Sequence, residues 1–199
     1  MCAKNKSNLR MAAKLAATRS RVIVKFWSPF EEGSTEGYVL DIGPEFFLLL
    51  LVDDKMRFNG FQCLHLQDVR KLQVPAKYAA FVEAALRIRG ERVEKKPRVR
   101  LDNIEELLLT ANRIFPVVAI HRERVNPDVC HIGRVVKIEK GSVFLEEIGP
   151  DAKWDDQPTD YRLREITRVD FGGGYEEALV LVGGVPAGAK SRRRLPKPE

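Results

Sequence analysis

The sequence is poor in cysteine and has no long hydrophobic segment. Its three cysteines, Cys2, Cys63 and Cys130, are too few and too far apart for a disulfide framework. The longest apolar run, Phe46 to Val52, is far too short to span a bilayer, and polar residues interrupt every apolar stretch of the first 20 positions. These absences predict a reduced, soluble, cytoplasmic protein with no membrane partner.

Common catalytic motifs are also missing. The chain contains no phosphate loop, dinucleotide fingerprint or nucleophile elbow. The three glycines at 172–174 lack the Lys-Ser/Thr of a phosphate loop and favour a flexible connector. We therefore expect a protein that is not an enzyme and carries no cofactor.

What is abundant is charge, and it is unevenly placed. The 199 residues have a charged fraction of 31%, a hydrophobic fraction of 44% and a net charge of +6, typical of a globular protein. Residues 1–20 carry +5 and residues 184–199 carry +4, so the two ends hold +9 and residues 21–183 sum to −3. Basic ends of this kind either bind phosphate backbones or only maintain solubility.

Aligned with itself, the chain shows a repeat at a spacing near 96 residues. The segment from Gly37 to Ile42 falls on Gly133 to Ile138, and the segment from Leu66 to Val69 falls on Leu163 to Ile166. Identities are few, but apolar and polar positions agree over some fifty residues. Such agreement indicates two copies of one small unit.

Each copy is predicted to begin with a helix and continue with five short strands. The leading helices are expected at 8–19 and 104–112, and the first strands at 22–24 and 118–120. Period-two alternation at Leu40 and Ile42 indicates the second strand of the first copy. The three-residue spacing of Leu66 and Val69, and of Leu163 and Ile166 in copy two, favours a short 3₁₀ turn before the fifth strand.

The domain organisation follows from these elements. A helix starting at Pro75 and ending at Gly90 is expected after the first set of strands, and a shorter one after the second. We predict a basic N-terminal helix or arm at 1–20, a first domain at 21–90, a linker at 91–101, a second domain at 102–183 and a disordered basic tail at 184–199.

This pattern resembles the Sm-like small β-barrel, with Gly37 and Gly133 in a strongly bent second strand. The resemblance covers 8–74 and 102–171 and implies a mainly β, α+β fold of two tandem five-stranded barrels, each preceded and followed by a helix. Members of that family usually form rings and bind single-stranded RNA through two loops. The Asn of the first loop and the Arg-Gly pair of the second are absent from both copies.

Binding of single-stranded RNA, without catalysis, is the first functional hypothesis. Exposed loop aromatics commonly stack on bases, and cationic side chains hold phosphates. The aromatic candidates could instead plug the barrel ends or seal the contact between the copies. The predicted contacts are Trp27, Phe30, Lys14, Arg19, Arg192, Arg193 and Arg194.

Protein assembly, with a second copy or another protein, is the alternative hypothesis. The strand from Phe46 to Val52 is apolar on both faces, so both need cover. The predicted interaction surface comprises Phe46, Leu48 and Leu50.

A small metal or thiol enzyme is the third hypothesis. His121, Asp128, Cys130 and His131 are mixed metal ligands close in sequence, but their spacing is not that of a zinc site. Cys63 and His65 share one face of a strand and could form a thiol–imidazole pair. Structural roles are favoured for all of these residues, so no metal is predicted.

Overall fold

The structure is a computed structural model and describes residues 11–12, 14–16, 22–93 and 95–186. These residues divide into two compact units. Unit 1 holds the described residues up to Lys96 together with Leu101–Asn103, and unit 2 holds Pro97–Arg100 and the described residues from Ile104 onwards.

Unit 1 is a five-stranded antiparallel sheet followed by a helix, and its strand order is β5-β1-β2-β3-β4. Residues 11–12 and 14–16 are helical, and Leu15 is fully buried. The elements are β1 (Ile23–Trp27), β2 (Thr35–Ile42), β3 (Phe46–Val52), β4 (Phe58–His65), a 3₁₀ turn (Leu66–Asp68), β5 (Lys71–Gln73) and α1 (Ala79–Ile88).

Unit 2 repeats this arrangement behind a leading helix, with strand order β10-β6-β7-β8-β9. The predicted 3₁₀ turn is confirmed in both units. The elements are α2 (Ile104–Ile114), β6 (Val118–His121), β7 (Cys130–Glu139), β8 (Ser142–Glu147), β9 (Thr159–Arg162), a 3₁₀ turn (Leu163–Glu165), β10 (Arg168–Phe171) and α3 (Gly174–Gly183).

The two units also share their strand register. Gly37 of β2 lies opposite Leu51 of β3, and Gly133 of β7 lies opposite Glu147 of β8. The pairing shifts by one residue after Val39 in one unit and after Val135 in the other, which is the same position of the repeat. A β-bulge at this point bends the strand and increases its twist.

The first strands match differently from the alignment of the sequence with itself. That alignment places Val24 on Ile120. In the structure, however, Val24 pairs with Gly37 of β2, and it is Val118 that pairs with the equivalent Gly133 of β7. The true correspondence of the first strands is therefore offset by two residues. An offset of two preserves the face to which each side chain points, so apolar alternation alone cannot detect it.

The predicted class, mainly β with helices, is shown by this architecture. Within each described set of five strands the sheet is open, because β4 and β5, or β9 and β10, stand at opposite ends of the order. The structure thus shows two five-stranded antiparallel sets, without establishing closure of either set into a barrel.

One face of unit 1 is filled by an apolar cluster around Phe26 and Phe47, whose rings meet edge to face at 5.5 Å. The other face of β3 is buried too. Phe46, Leu48 and Leu50 are exposed by 0%, 0% and 1%, so the chain itself covers the interaction surface predicted there. None of these three side chains is available to a partner in this structure.

No helix in the described part of the chain combines the length and the apolar character needed to cross a bilayer.

The close approach of β2 to β3, and of β7 to β8, gives a stability prediction. A Cβ at Gly37 would collide with the carbonyl oxygen of Leu50, and a Cβ at Gly133 with that of Glu146. Gly37→Ala and Gly133→Ala should each lower the free energy of unfolding by about 1–3 kcal/mol in urea titrations, as overpacking does. The control Gly33→Ala, where a Cβ meets nothing within 4 Å, should change it by less than about 0.5 kcal/mol. Equal stability of all three variants would contradict this account.

Candidate nucleic-acid interface

A pocket of about 490 Å³ lies in unit 1 between α1, strands β2 and β4, and the segment that follows α1. We call it the Tyr38 pocket. The helix ends at Ile88, and Gly90 takes a positive φ of 75°, which lets the chain turn back along the sheet. The lining comprises Tyr38, Phe58, Glu83, Leu86, Arg87 and residues 90–93.

Tyrosine 38 forms the buried wall of this pocket. Its side chain lies 6.2 Å from the ring of Phe58, at an angle of 60°. Burial, reinforced by the charge of Glu83 and a hydrogen bond to it, raises the pKa of Tyr38 to about 12, while Arg87 opposes the shift. The hydroxyl therefore stays neutral at physiological pH and donates to Glu83, holding α1 against β2.

Cations lie in the pocket and along the chain beside it: Arg87 and Arg92 line the pocket, and Arg89 and Lys95 are close to them in sequence. Arg87, Arg89, Arg92 and Lys95 are all exposed, and we call these four residues the basic rim. Arg89, Arg92 and Lys95 form no ion pair with another described residue, whereas Arg57 pairs with Glu91 at 3.2 Å. The rim therefore presents positive charge to solvent beside an aromatic wall.

The sequence analysis missed this site because it treated 91–101 as a linker of mixed charge. Residues 87–100 contain seven Arg or Lys and two Glu, a local charge of +5. This local positive charge is not visible in the net charge of −3 for residues 21–183, because acidic residues elsewhere in that range outweigh it. A sliding sum of charge over the helix end would have found the rim; the pocket depends on the packing of α1 and leaves no sequence signal.

The predicted contact Trp27 has a cationic setting of its own. The ammonium groups of Lys71 and Lys25 lie 4.5 and 5.8 Å from the centre of its ring. Lys71 is the direct partner of Trp27 across the β1–β5 pairing, and Lys25 is held by Glu36 at 2.6 Å. Trp27 is half-buried and contacts charged side chains, an arrangement that stabilises the cations over the ring.

Other predicted contacts are spread along the chain. Phe30 is half-buried, and its backbone N–H donates to the hydroxyl of Ser28 at 3.2 Å. Lys14 is exposed beside the buried Leu15. Arg19, Arg192, Arg193 and Arg194 lie outside the described residues.

In each unit, a hydrogen bond joins the loop after the second strand to the 3₁₀ turn. Leu66 donates its N–H to the carbonyl of Glu45, and Leu163 donates to that of Gly141, at 2.8 and 3.0 Å. The loops of unit 1 carry Glu45 and Asp68, which repel phosphate, whereas Lys140 and Arg164 are exposed in unit 2.

Unit 2 contains a half-buried polar cluster where unit 1 is apolar. The hydroxyl of Tyr161 donates to Glu147 at 2.6 Å, and Nδ1 of His131 lies 3.1 Å from the same carboxylate. Arg122 lies over the Tyr161 ring at 4.7 Å and pairs with Glu165 at 3.1 Å. Burial and the hydrogen bond to Glu147 raise the pKa of Tyr161. Apart from the buried Nε of Arg122, which has no hydrogen-bond partner among the described residues, these groups pair with one another as in a structural network.

The suggested metal ligands are divided between two such networks. His121 lies opposite Cys130 across the β6–β7 pairing and 3.1 Å from Asp170, which also binds Arg168 at 3.2 Å. His131 points instead to Glu147 and Tyr161. Over residues 11–12, 14–16, 22–93 and 95–186, no three His, Cys, Asp or Glu side chains are placed to hold a metal ion.

Neither of the two cysteines in the described part of the chain, Cys63 and Cys130, is placed as an activated thiol. Partial burial, with Asp170 and Glu176 nearby, raises the pKa of the Cys130 thiol. A raised pKa reduces the nucleophilic thiolate fraction. Cys63 is fully buried, and His65 stacks on Phe46 with ring centres 4.1 Å apart.

No family model, curated protein or solved structure matches the chain.

Because Tyr38 is buried and contacts Glu83, the free energy of unfolding should depend on pH in the alkaline range. An unfolded tyrosine loses its proton near pH 10, whereas the folded Tyr38 keeps it to about pH 12. The free energy of unfolding should therefore fall as the pH rises from about 10 to 12. In urea titrations of Tyr38→Phe, the free energy of unfolding should fall less steeply between about pH 10 and 12, by up to about 1.4 kcal/mol per pH unit. Between about pH 7 and 9 its dependence on pH should be the same as in the parent protein. Parallel curves over the whole range would show that the hydroxyl does not titrate late.

Proposed function

We propose that this protein binds single-stranded nucleic acid, and RNA in particular, without catalysing a reaction on it. The observation that carries the proposal is that two cations of the basic rim, Arg87 and Arg92, line the Tyr38 pocket. Positive charge that is exposed and unpaired next to an aromatic wall is what a single strand needs, because its backbone is anionic and its bases are free to stack.

The rim supplies the electrostatic part of this binding. Arg89, Arg92 and Lys95 occur every three residues at the end of α1 and in the segment after it. Each side chain that neutralises a phosphate releases condensed counterions, which favours binding and makes it depend on salt. Lys71 over the ring of Trp27 provides a further cation in the same unit, whereas the charge of Lys25 is neutralised by Glu36.

The pocket supplies the contact to the bases. Its volume of about 490 Å³ falls within the roughly 300–1,000 Å³ typical of small-molecule sites. Phe58 is half-buried there and offers an aromatic surface, while Glu83 and Glu91 can accept hydrogen bonds from base amino groups. An unstacked base in the pocket would place its phosphates toward the rim.

The proposal includes the Sm-like resemblance with tandem barrels. Support comes from the strand order within each unit, the bulge in the second strand, the 3₁₀ turn before the last strand and the hydrogen bond that joins the two loops. The acidic loops of unit 1 disfavour RNA binding at the family's usual position. Within unit 1 we therefore assign the binding surface to α1 and the segment that follows it.

Binding of a fluorescent single-stranded RNA of about 20 nucleotides, followed by anisotropy over a range of salt concentrations, tests the proposal. The double variant Arg92→Gln/Lys95→Gln removes two cations of the rim. It should bind more weakly, and the slope of log K against log salt should become less steep by about 1.4, because each phosphate contact in a single strand contributes about 0.7.

Two control proteins make the result specific. Lys153→Gln/Arg162→Gln removes the same charge from exposed positions of unit 2 and should bind as the parent does. The variant Arg192→Gln/Arg193→Gln/Arg194→Gln measures the contribution of the C-terminal segment. Equal loss in the rim variant and the unit 2 variant would show a response to net charge alone, and loss in the C-terminal variant only would move the site there. Either outcome overturns the assignment to the rim.

A further inference from the structure

The helix α1 carries two apolar stripes, and only one of them packs on unit 1. Ala79, Val82 and Leu86 are buried, with the 3–4 spacing of a helix face that packs on a sheet. Tyr78, Phe81 and Ile88 follow the same spacing on another side of the helix. They are exposed by 60%, 64% and 87%.

Helix α3 of unit 2 shows the same feature. Leu179 and Val180 are buried, whereas Tyr175, Leu181 and Val182 are exposed by 57%, 72% and 77%. Tyr78 and Tyr175 occupy equivalent positions of the repeat, at the start of the helix that follows each set of strands. Contiguous exposed apolar side chains on a soluble protein indicate an interaction surface.

The two stripes have flanking charges of opposite sign. Lys77, Arg87 and Arg89 flank the stripe of α1, and all three are exposed. Glu177 is exposed on α3. The loop against the end of α3, where Nε1 of Trp154 donates to the carbonyl of Gly184 at 3.3 Å, carries the exposed Asp155 and Asp156.

We infer that α1 of one copy docks on α3 of a second copy. Both stripes are exposed in the single chain, both are apolar, and the cations beside one complement the acids beside the other. Complementary charges at the edge of an interface select the partner and fix its orientation. The contact is heterologous, joining two different surfaces, so each added copy leaves one α1 and one α3 free to bind further copies or to close a ring.

The inference of assembly does not rest on RNA binding, but Arg87 and Arg89 belong to both surfaces. The variants that test it therefore change only apolar side chains. Phe81→Ser/Ile88→Ser disables α1, and Leu181→Ser/Val182→Ser disables α3. Val125→Ser/Val129→Ser is the matched control, since these two valines are exposed by 56% and 40% elsewhere in unit 2.

Sedimentation velocity of the full chain from about 1 to 100 µM, the range of moderate association, measures the result. The parent and the control should form dimers and larger species as concentration rises. Each disabled variant alone should remain a monomer. Mixed in equal amounts, the two variants should form a 1:1 dimer and nothing larger, because only one intact α1–α3 contact remains between them.

Three outcomes would overturn the inference: a parent that is monomeric throughout, a mixture that stays monomeric, or self-association that survives in either disabled variant. The last would indicate an isologous contact of α1 with α1 or of α3 with α3. Circular dichroism and thermal melting verify that the variants are folded. If serine substitutions unfold the chain, charge reversal replaces them: Lys77→Glu and Glu177→Lys should each weaken association, and their combination in one chain should restore it.

Discussion

In both units, the fold depends on the close contact between a strand glycine and the backbone of the neighbouring strand. Gly37 lies against the carbonyl of Leu50, and Gly133 against that of Glu146, closer than any residue with a Cβ could approach. The bulge follows within a few residues at the same position of each repeat. Together they bend the second strand and aim alternate side chains of the third strand at a common interior. The placement of α1 and of the Tyr38 pocket depends on this bend.

On that shared backbone, the two units hold different interiors. Unit 1 places Thr35, Leu51 and Leu64 at the positions where unit 2 has His131, Glu147 and Tyr161. The strand registers of the two units are similar although the side chains at these three positions differ. Strand pairing therefore does not require a particular side chain at these positions, provided that buried polar groups pair with one another. Unit 1 keeps its polar groups on the outer surface, at Trp27 and around the Tyr38 pocket. The candidate nucleic-acid contacts among the described residues concentrate in unit 1, whereas the polar cluster of unit 2 is occupied by internal pairing of Arg122, His131 and Glu147.

Alternation and turn residues were sufficient to predict the succession of strands along the chain, both 3₁₀ turns and the presence of helices after β5 and β10, because these depend on local sequence. The predicted start of the first of these helices at Pro75 was wrong, since it begins at Ala79. The two-residue offset of the first strand was not predictable, since it leaves every side chain on the same face. The burial of Phe46, Leu48 and Leu50 by other parts of the same chain could not be predicted from the sequence either. A strand that is apolar on both faces shows that both faces are covered but not by what. For the binding site, Trp27 was expected in the loop after the first strand, but it ends β1 and pairs with Lys71 of β5. The basic rim was hidden in a charge sum over 163 positions of the chain.

The exposed stripes of α1 and α3 are informative because the fold does not explain them. A helix needs only one apolar face to pack on its sheet, and the opposite face is normally polar. Here the second face is apolar on both helices, which share an exposed tyrosine at the equivalent positions 78 and 175, while the flanking charges have opposite signs. If the apolar stripes were exposed by chance, we would expect no relation between the position of a stripe and the sign of the charges that flank it. A contact between unlike surfaces requires both the shared apolar stripe and the opposite charge, and it lets one chain carry the two halves of the same interface.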